Sequence, residues 1–125
     1  MAGASAGLHE PEDQLSPETI DQHRALLSII EELEAVDWYQ QRMDATHDAE
    51  LCEILRHNRD EEKEHAAMVL EWIRRHDPSF DAKLRQYLFT EGSIVGREKT
   101  IEAASNGAMR SAHAGTTVGS LRGGR

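Results

Sequence analysis

A single cysteine, Cys52, occurs among the 125 residues, so no internal disulfide can form and nothing in the chain calls for an oxidising compartment. Prolines number only three and aromatics make up 5%, which leaves little of the turn chemistry and few of the bulky strand formers that an all-β domain uses. No apolar run is long enough to cross a bilayer, and no basic stretch followed by an apolar one opens the chain, so neither a membrane span nor a secretion signal is expected. Positive charge is also short. Residues 1–104 hold 11 Lys+Arg against 23 Asp+Glu, a net of −12, while residues 105–125 hold three arginines and no acid, a net of +3. An acidic body of this kind repels nucleic acid and anionic membranes and attracts cations. The expectation is a cytosolic, all-α protein with one modest core.

What the sequence does contain is helix punctuation. Residues 1–15 lack periodicity and are expected to be disordered. Ser16-Pro17-Glu18 then reads as a helix start: a capping hydroxyl, proline at the first helical position and an acid in the first turn. The helical pattern runs to about Asp44. Asp48 is placed to cap a second helix, which ends on the cations Arg74-Arg75-His76. Asp77-Pro78 stops it and opens a short third helix over SFDAKLRQYLF, with Gly92 as its terminator. GREKTIEAA is a weak helical segment, and the Gly, Ser, Ala and Thr content from Ser105 onward predicts a flexible, low-complexity tail over 105–125. The helical domain is therefore drawn at 16–104. Its two long helices, joined by the tight turn DATHD, should be antiparallel, and two helices cannot bury a wide apolar face alone, so a second copy is expected.

Both long helices carry polar residues on their apolar stripes. Positions 25, 29, 32, 36, 39 and 43, spaced alternately four and three, read Ala25, Ile29, Glu32, Val36, Tyr39, Met43. Positions 51, 55, 58, 62, 65, 69 and 72 read Leu51, Leu55, Asn58, Glu62, His65, Val69, Trp72. Glu32, Glu62 and His65 thus fall near the helix midpoints on faces otherwise suited to burial, where a bare carboxylate is costly unless paired or metal-bound. Glu62 and His65 form a Glu-x-x-His pair whose spacing lets both side chains grip one ion. The surrounding RDEEKEH is acidic enough that a solvated face with a stray histidine would give the same letters. Glu32 weighs against that reading, because no Lys or Arg shares its stripe.

One chain supplies two carboxylates and one imidazole, half of what a di-iron carboxylate bundle uses. A two-fold axis would supply the other half, and four carboxylates would balance two Fe(II) ions. On another stripe, Glu31, Glu34 and Trp38 lie at i, i+3 and i+7. They read either as a solvated edge or as an outer pair drawing cations toward the buried set. Tyr39 shares the Glu32 stripe, as a core tyrosine or as one whose hydroxyl supports a ligand. His23, His47, His57 and His76 have no comparable partner pattern.

The stretches EELEAVDWYQQRMDA, HNRDEEKEHAAMVLEWIRR and YLFTEG together resemble the encapsulated ferritins over roughly residues 9–104. The resemblance implies a ferritin-like half-bundle of two long helices plus a short C-terminal one, with dimerisation completing a four-helix bundle. It implies a ferroxidase centre shared between two subunits and built from Glu32, Glu62 and His65, with Glu31 and Glu34 as an outer iron-access site beside Trp38. It also implies a homodecameric ring of five dimers inside an encapsulin shell in the bacterial cytoplasm. There the ring would oxidise Fe(II) while the shell stores the mineral. A shell-docking peptide is implied by Val118-Gly119-Ser120-Leu121-Arg122, at about 117–122. The chain departs from the family pattern in a longer GREKTIEAA segment and in lacking an acid before that apolar core. Two other functions fit the same letters: a metal-binding helical dimerisation protein without enzymatic activity, and a helical interaction module whose polar midpoints set register.

Overall fold

The structure of the chain, a computed structural model, describes residues 7–121, their side chains as far as Ser111. It is all-α, with no strand among the described residues: a 3-10 turn at Glu12–Gln14, then α1 (Pro17–Ala45), α2 (Ala49–His76), α3 (Pro78–Tyr87) and α4 (Ile94–Leu121). The contacts divide the chain into two compact units between Asp81 and Ala82.

Local chemistry sets the ends of the long helices. The Thr19 amide donates to Ser16 Oγ at 3.1 Å, with Pro17 at the first helical position of α1. The Leu51 amide donates to Asp48 Oδ1 at 2.8 Å and starts α2. Between them Thr46 and His47 make the turn, closed by the Thr46 amide on the Arg42 carbonyl at 3.0 Å. At 29 and 28 residues, α1 and α2 are each about 43 Å long.

Cross-contacts fix the direction of pairing. Cys52 Sγ lies 3.9 Å from the Met43 carbonyl, Arg59 Nη1 donates to Gln40 Oε1 at 2.6 Å, and Ala25 and Ser28 share a groove with Val69 and Trp72. Residue numbers fall along one helix as they rise along the other, so α1 and α2 are antiparallel. The core between them is thin. Leu55, Ala66 and Ile73 of α2 are the buried residues among those described, and α1 has none. Leu51, on the expected buried stripe, is exposed because it lies in the first turn of α2, close to the end of the pair. Leu26, Leu33, Ile54 and Met68 are exposed as well, the last at 57%.

The end of α2 is tied to the start of α3 by charge. Arg74 donates to both Glu71 oxygens at 2.7 Å and also to Asp81, while Arg75 Nε donates to Glu71 Oε2 at 2.7 Å. Two guanidinium partners hold the Glu71 carboxyl down at about 2. The Phe80 amide donates to Asp77 Oδ1 at 2.9 Å, so Asp77 caps α3 as its sequence position implied.

Three expectations change. Residues 7–15 are not featureless, since the Gln14 amide donates to the Pro11 carbonyl at 2.9 Å in the 3-10 turn; residues 1–6 lie outside the described residues. Gly92 does not end α3. The helix stops at Tyr87, and Phe89 takes the left-handed φ of 59° that a glycine usually supplies at that point, leaving Gly92 (φ 84°) for the connection. The tail expected to be flexible from Ser105 is helical in backbone to Leu121. Ser93 caps it through the Gly96 amide at 3.0 Å, Ala103, Ala104 and Ala108 favour helix, and no proline follows Pro78 to stop it. Val118–Leu121 of the docking motif therefore lie in α4; Arg122 lies outside the described residues.

Candidate metal centre

Glu32 stands at the middle of α1, and Glu62 and His65 at the middle of α2, one turn apart on one face. The antiparallel register brings these midpoints opposite each other. One ligand atom from each of the three lies within 4.8 Å of the others, the spacing of groups able to share a cation. His65 Nδ1 is 3.6 Å from Glu62 Oε2.

The three are half-buried rather than buried, and no polar residue among those described is buried outright. Within this group, Glu32 Oε2 is shielded from solvent and accepts no hydrogen bond. Burial, then the nearby Glu62 carboxylate, push the Glu32 carboxyl above its ordinary value. Glu31 adds to the rise and His65 opposes it. Arg59, three residues before Glu62 on α2, is committed to Gln40 and Asp60. A shielded acceptor without a donor, two mutually repelling carboxylates and an imidazole form a donor set for a hard or borderline divalent cation.

The other expected site residues stay outside this group. Glu31 is exposed and Glu34 half-buried, and neither joins the set, although Glu31 is close enough to raise the Glu32 carboxyl. Trp38 is exposed and shares a shallow depression with Gln41 and Arg42. Tyr39 is half-buried and carries the Arg42 guanidinium 5.4 Å from its ring centroid. One neighbour was missed in the sequence. Glu61 lies with Oε2 4.0 Å from His65 Nε2 and Oε1 3.2 Å from His57 Nε2, which gives His57 a partner the expectation denied it. The signal was the i, i+4, i+8 ladder His57-Glu61-His65, hidden inside an acidic run. His76 also has partners: its ring stacks on Trp72 at 4.0 Å and Nδ1 meets the Trp72 carbonyl at 2.7 Å.

The family model described as EncFtn-like matches residues 7–91. The "Encapsulated ferritin-like protein" of Rhodospirillum rubrum is 52% identical, the match covering 98% of this chain and 93% of that protein. The "Encapsulin nanocompartment cargo protein EncC" of Myxococcus xanthus is 37% identical over 77% of this chain and 80% of its own. A crystal structure of a protein from Nitrosomonas europaea superposes with a TM-score of 0.69 at 64% identity, covering 70% of this chain and 97% of that one.

Proposed function

The chain belongs to the EncFtn-like family, and from that premise we propose that it is a ferroxidase acting on Fe(II) at a di-iron centre shared between two copies. The observation that carries this reading is the convergence of Glu32, Glu62 and His65 around the unpartnered Glu32 Oε2. Two copies related by a two-fold axis would present four carboxylates and two imidazoles, closing a four-helix bundle over the exposed apolar residues of α1 and α2. Fe(II) is the substrate and dioxygen the electron acceptor. Hard carboxylate oxygens favour Fe(III) over Fe(II), the direction the oxidation takes. A cation at the centre favours the ionised Glu32 carboxylate and offsets the burial and the Glu62 charge that raise its pKa. Glu31 and Glu34 would raise the local cation concentration outside the centre, with Trp38 beside them. Tyr39, on the Glu32 stripe, would hold the ligand environment in shape.

The names of the Rhodospirillum rubrum and Myxococcus xanthus relatives support an encapsulated cargo role. We assign this chain to the interior of an encapsulin nanocompartment in the bacterial cytoplasm, as a homodecamer of five dimers, docked through Val118–Leu121 and Arg122. No helix among the described residues is long and apolar enough to cross a membrane.

Ferric absorbance after addition of Fe(II) in air tests the activity. The parent protein should develop it, and Glu32→Ala, Glu62→Ala and His65→Ala should each nearly abolish it. A protein that binds iron without oxidising it is a metal-braced dimer and not a ferroxidase. Deleting residues 116–125 should leave oxidation in solution intact while removing co-purification with the shell.

A further inference from the structure

A side-chain hydrogen bond ties α2 to α1: Arg59 Nη1 donates to Gln40 Oε1 at 2.6 Å. Both of its ends are fixed by further bonds. Gln40 Nε2 donates to Asp44 Oδ1 at 3.0 Å, which orients the amide with its oxygen toward the guanidinium. The reverse orientation would set donor against donor and oxygen against oxygen. Arg59 Nε and Nη2 donate to Asp60 Oδ1 at 3.0 and 2.8 Å, which also counters a positive charge one turn from Glu62. The Arg59 side chain keeps 18% of its exposure, so water competes poorly for its donors.

The metal group depends on how the two helices meet, because one ligand comes from α1 and two from α2. Slipping one helix by a residue would move Glu32 by about 1.5 Å along its axis and turn it by about 100°. The buried residues do not prevent this by themselves. Among those described they are Leu55, Ala66 and Ile73, all on α2, and apolar contact is not directional. The turn at Thr46–Asp48 holds one end of the pair, and the Arg59–Gln40 bond lies between that turn and the metal group on both helices. Resting on the ferroxidase reading, we propose that Gln40 and Arg59 are positioning residues of the centre: their hydrogen bond holds the register and rotation in which Glu32 meets Glu62 and His65. Arg59 can only donate, and the Gln40 oxygen is committed to it, so neither serves as a ligand.

The test uses the full-length protein with Zn(II) for affinity, by calorimetry, and Co(II) for coordination geometry, by its visible spectrum. Alanine at Gln40, an exposed helical position, leaves α1 able to form. Gln40→Ala and Arg59→Ala should each weaken Zn(II) binding about tenfold and change the Co(II) bands, with helix content by circular dichroism unchanged. The double variant should be no weaker than either single one, since both remove the same bond. Gln40→Glu keeps the acceptor and should retain the parent bands with most of the affinity. Ile73→Val thins the core outside the clamp; it should lower the melting temperature and leave the Co(II) bands as they are, which separates register from general stability. Parent affinity and parent bands in both alanine variants would overturn the assignment. So would single effects that add in the double variant, a Gln40→Glu as weak as Gln40→Ala, or an Ile73→Val that changes the bands as the clamp variants do. Glu32→Ala and Glu62→Ala separate the two levels of inference. If they bind Zn(II) as the parent does, the metal centre itself is misplaced. If they lose it while Gln40→Ala and Arg59→Ala do not, only the positioning role fails.

Discussion

Replacing Glu32 with glutamine should stabilise the metal-free protein, although the residue is half-buried at the centre of α1. Its carboxylate oxygen is shielded and unpartnered, and within 4.8 Å lies the Glu62 carboxylate. Two unit charges at that distance repel by about 0.9 kcal/mol in water and about 3.5 kcal/mol at an effective dielectric near 20. The Glu62 side chain keeps 26% of its exposure, which places the pair toward the lower end, at about 1–2 kcal/mol. A glutamine amide removes the repulsion and offers Glu62 a donor. For a chain of this size about 4 °C accompanies each kcal/mol, so the midpoint should rise by roughly 4–8 °C.

The pH dependence follows from the sign of the Glu32 shift. Its folded-state pKa lies above the ordinary 4.5, so the fold favours the protonated form. Below about 4.5 the group is neutral folded and unfolded, and parent and variant should be alike in stability. As pH rises through the elevated folded value, the parent loses stability that the variant keeps. Thermal unfolding by circular dichroism, with chelator present, at pH 4.5 and pH 7 reads the gap. Zn(II) at a hundredfold excess over its dissociation constant should then stabilise the parent by about 2.7 kcal/mol and the variant by less, closing or reversing the order. A metal-free Glu32→Gln protein that melts below the parent at pH 7, or a gap indifferent to pH, would refute the reasoning.

Ile73 is 4% exposed, so Ile73→Ala should cost about 2–4 kcal/mol in urea unfolding, a large share of what so thin a core supplies. Asp48→Ala removes the acceptor of the Leu51 amide and should cost about 1 kcal/mol, with fraying of the first turn of α2 seen in amide exchange. Glu71 is held at about 2 by Arg74 and Arg75, so its contribution is present above pH 4.5 and lost as pH falls toward 2; acid titration of Glu71→Gln should lack that part of the transition.

The fold was legible where side chains punctuate it. Ser16, Asp48 and Asp77 occupy cap positions, and each cap is made by the hydrogen bond its residue type implies. Legibility failed where composition stood in for mechanism. The small residues after Ser105 were read as unable to fold, yet a Ser93 cap, interspersed alanines and the absence of proline carry α4 to Leu121. At Phe89 the error was the opposite one, trust in glycine as terminator, when an aromatic residue takes the left-handed turn and the helix ends at Tyr87. Glu61 was lost in the acidic run for a related reason: its histidine neighbours, His57 and His65, lie four residues away on either side, and the eye stops at the Glu-x-x-His pair.

The convergence of Glu32, Glu62 and His65 was readable because period and register are both sequence properties, the first from helix geometry and the second from the short turn at Thr46–Asp48. Burial was not, because in the proposed two-copy centre it belongs to the assembly. A single chain leaves the ligands half-exposed, and Leu26, Leu33, Ile54 and Met68 bare. The apolar residues gain by being covered, by about 25 cal/mol per Å², whereas the carboxylates lose by it unless a cation enters with the cover. The proposed occupant, a second copy bringing its own Glu32, Glu62 and His65, would meet the first demand and create the second. In the proposed dimer, hydrophobic burial and charge neutralisation would act on the same interface with opposite signs until a cation arrives, which would tie closure of the bundle to the loading of its centre.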